Sequence, residues 1–367
     1  MTTVAEGRSK PYLLSLLVNS GEPRPVASYG TDLVTSLLGV WFAVGLFVDA
    51  WAHTNIPQLE TFFTPWHAVF YSGFTATALW ILWVVWRNVQ AGRRGLAAVP
   101  QGYGLSLIAL PVFAAMGVGD FLWHTLIGIE QNLTILFSPT HLGLITSMVV
   151  ILTGPLRSAW ADVTSTPPTF RRLLPATLGL AFSASLVLLF VLYSNAWTWY
   201  PNGIVEAFSK SEGYSDVPPN AGDIAASITI TNVVMLAPLL LLARRWRVPP
   251  GTATVIAIAT VGVSGATTAG GNVAILAAGI LAGVVVDLLL LWLRPIASRR
   301  AAYFGFAFLA GFLTWAIYLA AASLQAGRLP AIPEYWTGAP IVAGLHGLLL
   351  ALLFVPSLST KNSVLAK

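Results

Sequence analysis

The chain of 367 residues is 56% hydrophobic and 9% charged, carries 19 Lys and Arg against 14 Asp and Glu, and has a mean hydropathy of +0.76. Soluble domains carry roughly 25% charged residues, so an ordinary water-facing surface is excluded. The absence of cysteine excludes disulfides, thiolate metal sites and catalytic thiols.

The N-terminus lacks a signal-peptide pattern: the apolar stretch after Lys10 is short and ends in NSGEPRP, so the first span is expected to act as the membrane signal. Apolar runs of about 20 residues, each able to cross ~30 Å of hydrocarbon, then follow in series. They fall near 32–53, 65–86, 104–126, 139–160, 173–195, 223–243, 251–270, 272–293, 302–324 and 340–356. This pattern predicts an all-α fold, a polytopic integral membrane helical bundle of about ten transmembrane helices. Its natural partner is the lipid bilayer. The net charge of +5 does not point to nucleic acid, because the arginines sit in short clusters beside the apolar runs.

Those clusters also give an orientation. The links carrying Arg93 and Arg94, Arg171 and Arg172, Arg244, Arg245 and Arg247, and Arg299 and Arg300 fall on one side. With both termini, that side holds 17 of the 19 basic residues, leaving Lys210 and Arg328 opposite. The positive-inside rule makes it cytoplasmic, in a prokaryotic cytoplasmic membrane. The chain then reads as one membrane domain. A cytoplasmic segment at 1–31 precedes two repeated hairpins at 32–160. The rest of the bundle spans 161–356, with an outer loop at 196–222, and 357–367 forms a cytoplasmic tail. The aromatic-rich outer loop is expected at the membrane interface, and SGATTAGGN, between the seventh and eighth spans, reads as a tight outer turn rather than a broken helix. Asp287, deep in the eighth span, reads as a packing or proton-handling residue.

Chemistry concentrates in the hairpins. DAWAHTNIPQLETFFTPWH, from Asp49 to His67, is echoed by DFLWHTLIGIEQNLTILFSPTH, from Asp120 to His141, so that four of the five histidines lie in two similar stretches. Asp49 and His53 are four apart, on one helical face, and so are Asp120 and His124. Thr64-Pro65 and Ser138-Pro139 read as N-cap and N1, which puts His67 and His141 in the first turn of the next helix. Each hairpin thus brings Asp, His and His to the same depth near the outer face. Imidazole and carboxylate together suit copper, zinc or iron, and uncompensated ionisable groups in a membrane are costly. Metal binding is therefore the preferred reading of both motifs over structural pairing. Glu60 and Glu130 are expected behind the ligands or on the outer face. His346 reads as packing first, with completion of the same layer as the other reading. Trp51, Trp66, Phe70, Tyr71 and Trp123 are candidate pocket walls.

The stretch HTNIPQLETFFTPWHAVFYSG resembles the metal-binding region of the C subunit of particulate methane and ammonia monooxygenases, the copper membrane monooxygenases. The matching residues are Asp49, His53, Glu60, Phe63-Thr64-Pro65, His67 and Phe70-Tyr71. The resemblance implies copper on Asp49, His53 and His67. It also implies a neighbouring site at Asp120, His124 and His141, where Asp120 stands in place of the family's Asn. It covers roughly residues 45–145. The chain has more spans than such a subunit and no cupredoxin-like domain of the kind a partner subunit supplies. Partner subunits, or a homo-oligomer such as a trimer, follow by analogy.

The leading expectation is a copper-binding membrane protein holding one or two ions, an O2-activating monooxygenase or its metal-bearing subunit. Its substrate would be small and apolar. Two alternatives stand beside it: a copper-transport or copper-handling protein, and a metal-free proton-coupled transporter.

Overall fold

A computed structural model describes residues 18–56, 63–128, 136–162, 168–210 and 219–355. Regular structure in these residues is helical throughout. In chain order the α-helices are α1 (Tyr29–Asn55), α2 (Pro65–Gln90), α3 (Gly104–Leu126), α4 (Pro139–Leu152), α5 (Gly154–Ala161), α6 (Phe170–Phe190), α7 (Pro201–Ala207), α8 (Ala221–Arg245), α9 (Thr252–Thr267), α10 (Val273–Leu293), α11 (Arg300–Ala326) and α12 (Pro333–Phe354). Nine stretches among the described residues, α4 and α5 counting as one, are long and apolar enough to cross a membrane. The chain is a polytopic helical membrane protein. The seventh expected span is the exception in length: α9 has 16 residues, and the chain leaves it through Ala269 and Gly270 in left-handed conformations. That tight turn is fastened by Asn272, whose amide donates to the Trp197 carbonyl.

Helix starts follow local chemistry. Ser28, Thr64, Ser138, Thr169 and Asn220 each cap a helix with a side-chain oxygen, and Asn220 with Asp223 completes a capping box. The start of α9 lacks such a residue. Gly251 occupies its N-cap at φ 94, and the capping oxygen comes from α10 instead. Asp287 accepts from the Ala253 amide at 3.0 Å, the Thr254 amide at 2.9 Å and the Thr254 hydroxyl at 2.6 Å. Its role is therefore that of a helix cap borrowed from a neighbouring helix.

The fourth span bends where Pro155, lacking an amide hydrogen, interrupts the ladder. The Ser106 hydroxyl lies 3.4 Å from the Ile151 carbonyl that Pro155 leaves without its amide, and Arg157 donates to the neighbouring Val150 carbonyl at 2.8 Å. Nearby, buried Asp32 accepts from Tyr103 at 2.6 Å and Ser158 at 3.0 Å. This polar group ties the start of α1 to α3 and α5. The expected interfacial loop also packs inward at its start: Trp197 is fully buried and stacks on Trp315 with centroids 5.3 Å apart.

Close helix approach positions the hairpins. A Cβ at Gly45 would lie 2.8 Å from the Phe70 Cα, and one at Gly73 would lie 2.6 Å from the Phe42 Cα, so α1 and α2 meet backbone to backbone. Phe42, Phe70, Phe74 and Phe113 then join the hairpins, with Phe74 and Phe113 stacked at 4.3 Å. Replacing Asp287 by Ala leaves the first turn of α9 without its acceptor, a loss of about 2 kcal/mol. Thermal unfolding in detergent should fall by several degrees while helicity at low temperature stays unchanged.

Candidate metal centre

Asp49 and His53 leave the last turns of α1 on one face, and His67 faces them from the first turn of α2. Asp49 Oδ2 lies 3.8 Å from His53 Nε2 and 3.5 Å from His67 Nε2. The second hairpin repeats this with α3 and α4: Asp120 Oδ2 lies 3.5 Å from His124 Nε2, and Asp120 Oδ1 lies 3.4 Å from His141 Nε2. Ring pairs match as well, at 5.7 Å and 68° for His53–His67 and 5.8 Å and 68° for His124–His141. One ligand atom from each residue of a triad lies within 4.8 Å of the others. A tetrahedral ion with bonds of about 2.0–2.1 Å separates its ligands by about 3.3 Å, so small rotations would close either triad around an ion.

The caps orient the imidazoles. The Thr64 hydroxyl accepts from the His67 amide and stands 3.2 Å from its Nδ1; Ser138 does the same for His141, 2.8 Å from its Nδ1. With Nδ1 tethered, Nε2 is the atom turned to the carboxylate. Such tethers fix tautomer and ring direction at metal sites. The sequence reading identified Thr64 and Ser138 as caps but missed this second task.

Thr140 was also missed. Its hydroxyl donates to Asp120 Oδ1 at 3.0 Å. Trp66 holds the equivalent place in the first hairpin, and there Asp49 Oδ1 is buried without a hydrogen-bond partner. A buried carboxylate oxygen without a donor fits a cation, which supplies the missing positive charge.

All six residues line one cavity of about 70 Å³, room for roughly five water-sized molecules. The rest of its wall is apolar, from Leu46, Leu136, Ile145, Met148 and Phe190 among others, with Tyr71 as the exception. Of the proposed wall aromatics, Phe70 and Tyr71 line this cavity. Trp51 and Trp66 do not; they pack edge to face at 5.8 Å, and Trp51 is 36% exposed. Trp123 is likewise outside the lining, half-buried on α3. His346 sits on α12, which packs against α8 and α11, and does not border the cavity. Glu60 and Glu130 lie outside the described residues.

A larger cavity of about 380 Å³ opens at the opposite end of the hairpins, between the starts of α1 and α6. Its charged groups are already engaged: Arg172 on Asp162 at 2.7 Å, Arg171 over the Tyr29 ring, and Asp32 on Tyr103 and Ser158.

These features define a helical membrane protein with twin Asp-His-His triads facing one small cavity. No protein-family model matches the chain, and no curated protein or solved structure matches it either. The resemblance to the copper membrane monooxygenases thus rests on the hairpin motifs.

Replacing Thr64 by Val or Ser138 by Ala should weaken metal binding in its own triad about 10- to 100-fold, read by competition with a chelator of known affinity. His346→Ala should leave both the stoichiometry and the affinity of metal unchanged in the same assay.

Proposed function

We propose that the chain is a copper-binding integral membrane protein that serves dioxygen-dependent oxidation of a small apolar substrate, as a monooxygenase or as its metal-bearing subunit. The observation that carries this reading is the paired set of Nε2 and carboxylate atoms facing a single apolar cavity. Asp49, His53 and His67 hold one ion; Asp120, His124 and His141 hold the other. The choice of copper over zinc or iron rests on the resemblance of the first hairpin to the monooxygenase C subunit. Copper bound at these residues would supply one-electron redox chemistry toward dioxygen.

The chain's own residues do the rest. Thr64 and Ser138 keep each Nε2 turned inward, and Thr140 holds the Asp120 carboxylate in place. Apolar walls keep bulk water from the ligands and favour a substrate without charge. The cavity volume limits that substrate to a few heavy atoms. Both termini are assigned to the cytoplasm, which sets the triads beneath the outer leaflet, within reach of apolar molecules dissolved in lipid. Oxygenation draws electrons from outside this cavity, so the reading includes a redox partner or partner subunits.

Elemental analysis of protein purified in mild detergent and reconstituted with copper tests the assignment. Wild type should bind two equivalents, and His53→Ala or His67→Ala should halve the copper while leaving helicity and membrane insertion intact. Dioxygen consumption with formation of a hydroxylated product should follow in the presence of a reductant. Copper bound without dioxygen uptake would place the chain among copper-handling proteins. Less than about half an equivalent after reconstitution would overturn the metal reading in favour of a proton relay.

A further inference from the structure

The two triads are built from the same donors, yet their carboxylates stand in different surroundings. In the first, Oδ2 of Asp49 faces both imidazoles, 3.8 Å from His53 Nε2 and 3.5 Å from His67 Nε2. Its Oδ1 is buried with no hydrogen-bond partner, on a residue only 6% exposed. In the second, the two oxygens of Asp120 are divided, Oδ2 toward His124 and Oδ1 toward His141. That Oδ1 also accepts from Thr140 at 3.0 Å.

Thr140 does not act alone. Its oxygen lies 3.1 Å from the Ser138 hydroxyl, which lies 2.8 Å from His141 Nδ1. Because the Thr140 proton is committed to Asp120, Ser138 is the donor to Thr140 and its own oxygen accepts from Nδ1–H. A chain of donated protons therefore runs from the imidazole through Ser138 and Thr140 to the carboxylate, and such chains strengthen each member. The first hairpin stops one step short. Thr64 meets His67 in the same way, but Trp66 stands where the link to the carboxylate would be.

A hydroxyl beside the second imidazole is thus common to both triads, and the donation to Asp120 is what differs. A hydroxyl binds a bare carboxylate more strongly than one whose charge a cation already shares, so Thr140 stabilises the empty second triad over the filled one. Holding the carboxylate still works the other way, but it fixes only one soft torsion. Asp49 Oδ1 has no such donor, so a cation at the first triad meets a charge that no hydroxyl has eased.

We propose that the two triads hold copper unequally, the Asp49 triad more tightly, and that Thr140 sets the difference. The proposal rests on the metal reading above. His124→Ala leaves the Asp49 triad and His53→Ala leaves the Asp120 triad, so each can be titrated alone with copper against a chelator of known affinity. The Asp49 triad should bind about tenfold more tightly, the scale of part of one hydrogen bond to a charged group. In the His53→Ala background, Thr140→Val should tighten the remaining site by about the same factor. Thr140→Ser, which keeps the hydroxyl, should leave that site unchanged. Should a single-site variant fail to fold, wild type and Thr140→Val supply the same comparison, two binding phases against one. Equal affinities, a looser Asp49 triad, or a site that loosens with Thr140→Val overturn the proposal and leave the metal reading intact. Failure of the wild type to bind copper removes both together.

Discussion

Buried carboxylates set the terms of this structure. An ionised group moved from water into an apolar interior costs several kcal/mol unless charge partners or hydrogen bonds compensate it. Four aspartates among the described residues are buried: Asp32, Asp49, Asp120 and Asp287. Asp32 is met by a phenol and a serine hydroxyl, and Asp287 by two amides and a threonine hydroxyl. Both are thereby satisfied by neutral donors and serve as fasteners. Asp49 and Asp120 are met by imidazoles instead. Asp120 also accepts from the Thr140 hydroxyl, and the cation of the proposed reading would supply positive charge to both carboxylates.

Helix packing makes those encounters happen. Gly45 and Gly73 let α1 and α2 touch along their backbones, so His67 reaches Asp49 although the link between the helices is long. Gly119 does similar work in the second hairpin: a Cβ there would lie 3.2 Å from the Thr140 methyl, and Thr140 is the donor to Asp120. At the far end of α1, Asp32 fixes the same helix that presents Asp49, about 25 Å away along the axis. A rod held by a polar network at one end can present a ligand reproducibly at the other. The cap residues then finish the arrangement locally, because the oxygen that starts α2 or α4 also faces the imidazole in its first turn.

Features that depend on short sequence distances were readable in advance. The spans came from apolar runs, and the triads from a four-residue spacing followed by Ser or Thr, Pro, one residue and His. Long-range features stayed hidden. The cap that Asp287 gives to α9 joins positions 34 apart, and nothing near Gly251 advertises it. The inward course of the chain after α6 depends on Asn195 meeting Ser264 and Trp197 meeting Trp315, contacts that no local pattern encodes. Likewise, α9 is shorter than its apolar run because Thr268 and Asn272 close a turn against each other at 2.9 Å. Among the aromatics, Trp51, Trp66 and Trp123 stand one or two residues from ligand candidates but do not line the cavity, since successive residues on a helix are about 100° apart.

The two triads share a plan and differ in one detail with chemical weight. Thr140 donates to an oxygen of Asp120, drawing electron density from that carboxylate and fixing its rotation. Trp66 in the same place offers Asp49 nothing, and the Asp49 Oδ1 remains buried without a donor. The first carboxylate is therefore the freer to turn, since no hydroxyl holds its Oδ1. The second is pre-oriented and offers its charge already shared. Both triads border one cavity, so the proposed reading gives a small molecule lodged there two unequal sites. The residue before the second histidine, Trp66 in one hairpin and Thr140 in the other, is enough to create that inequality within a shared plan.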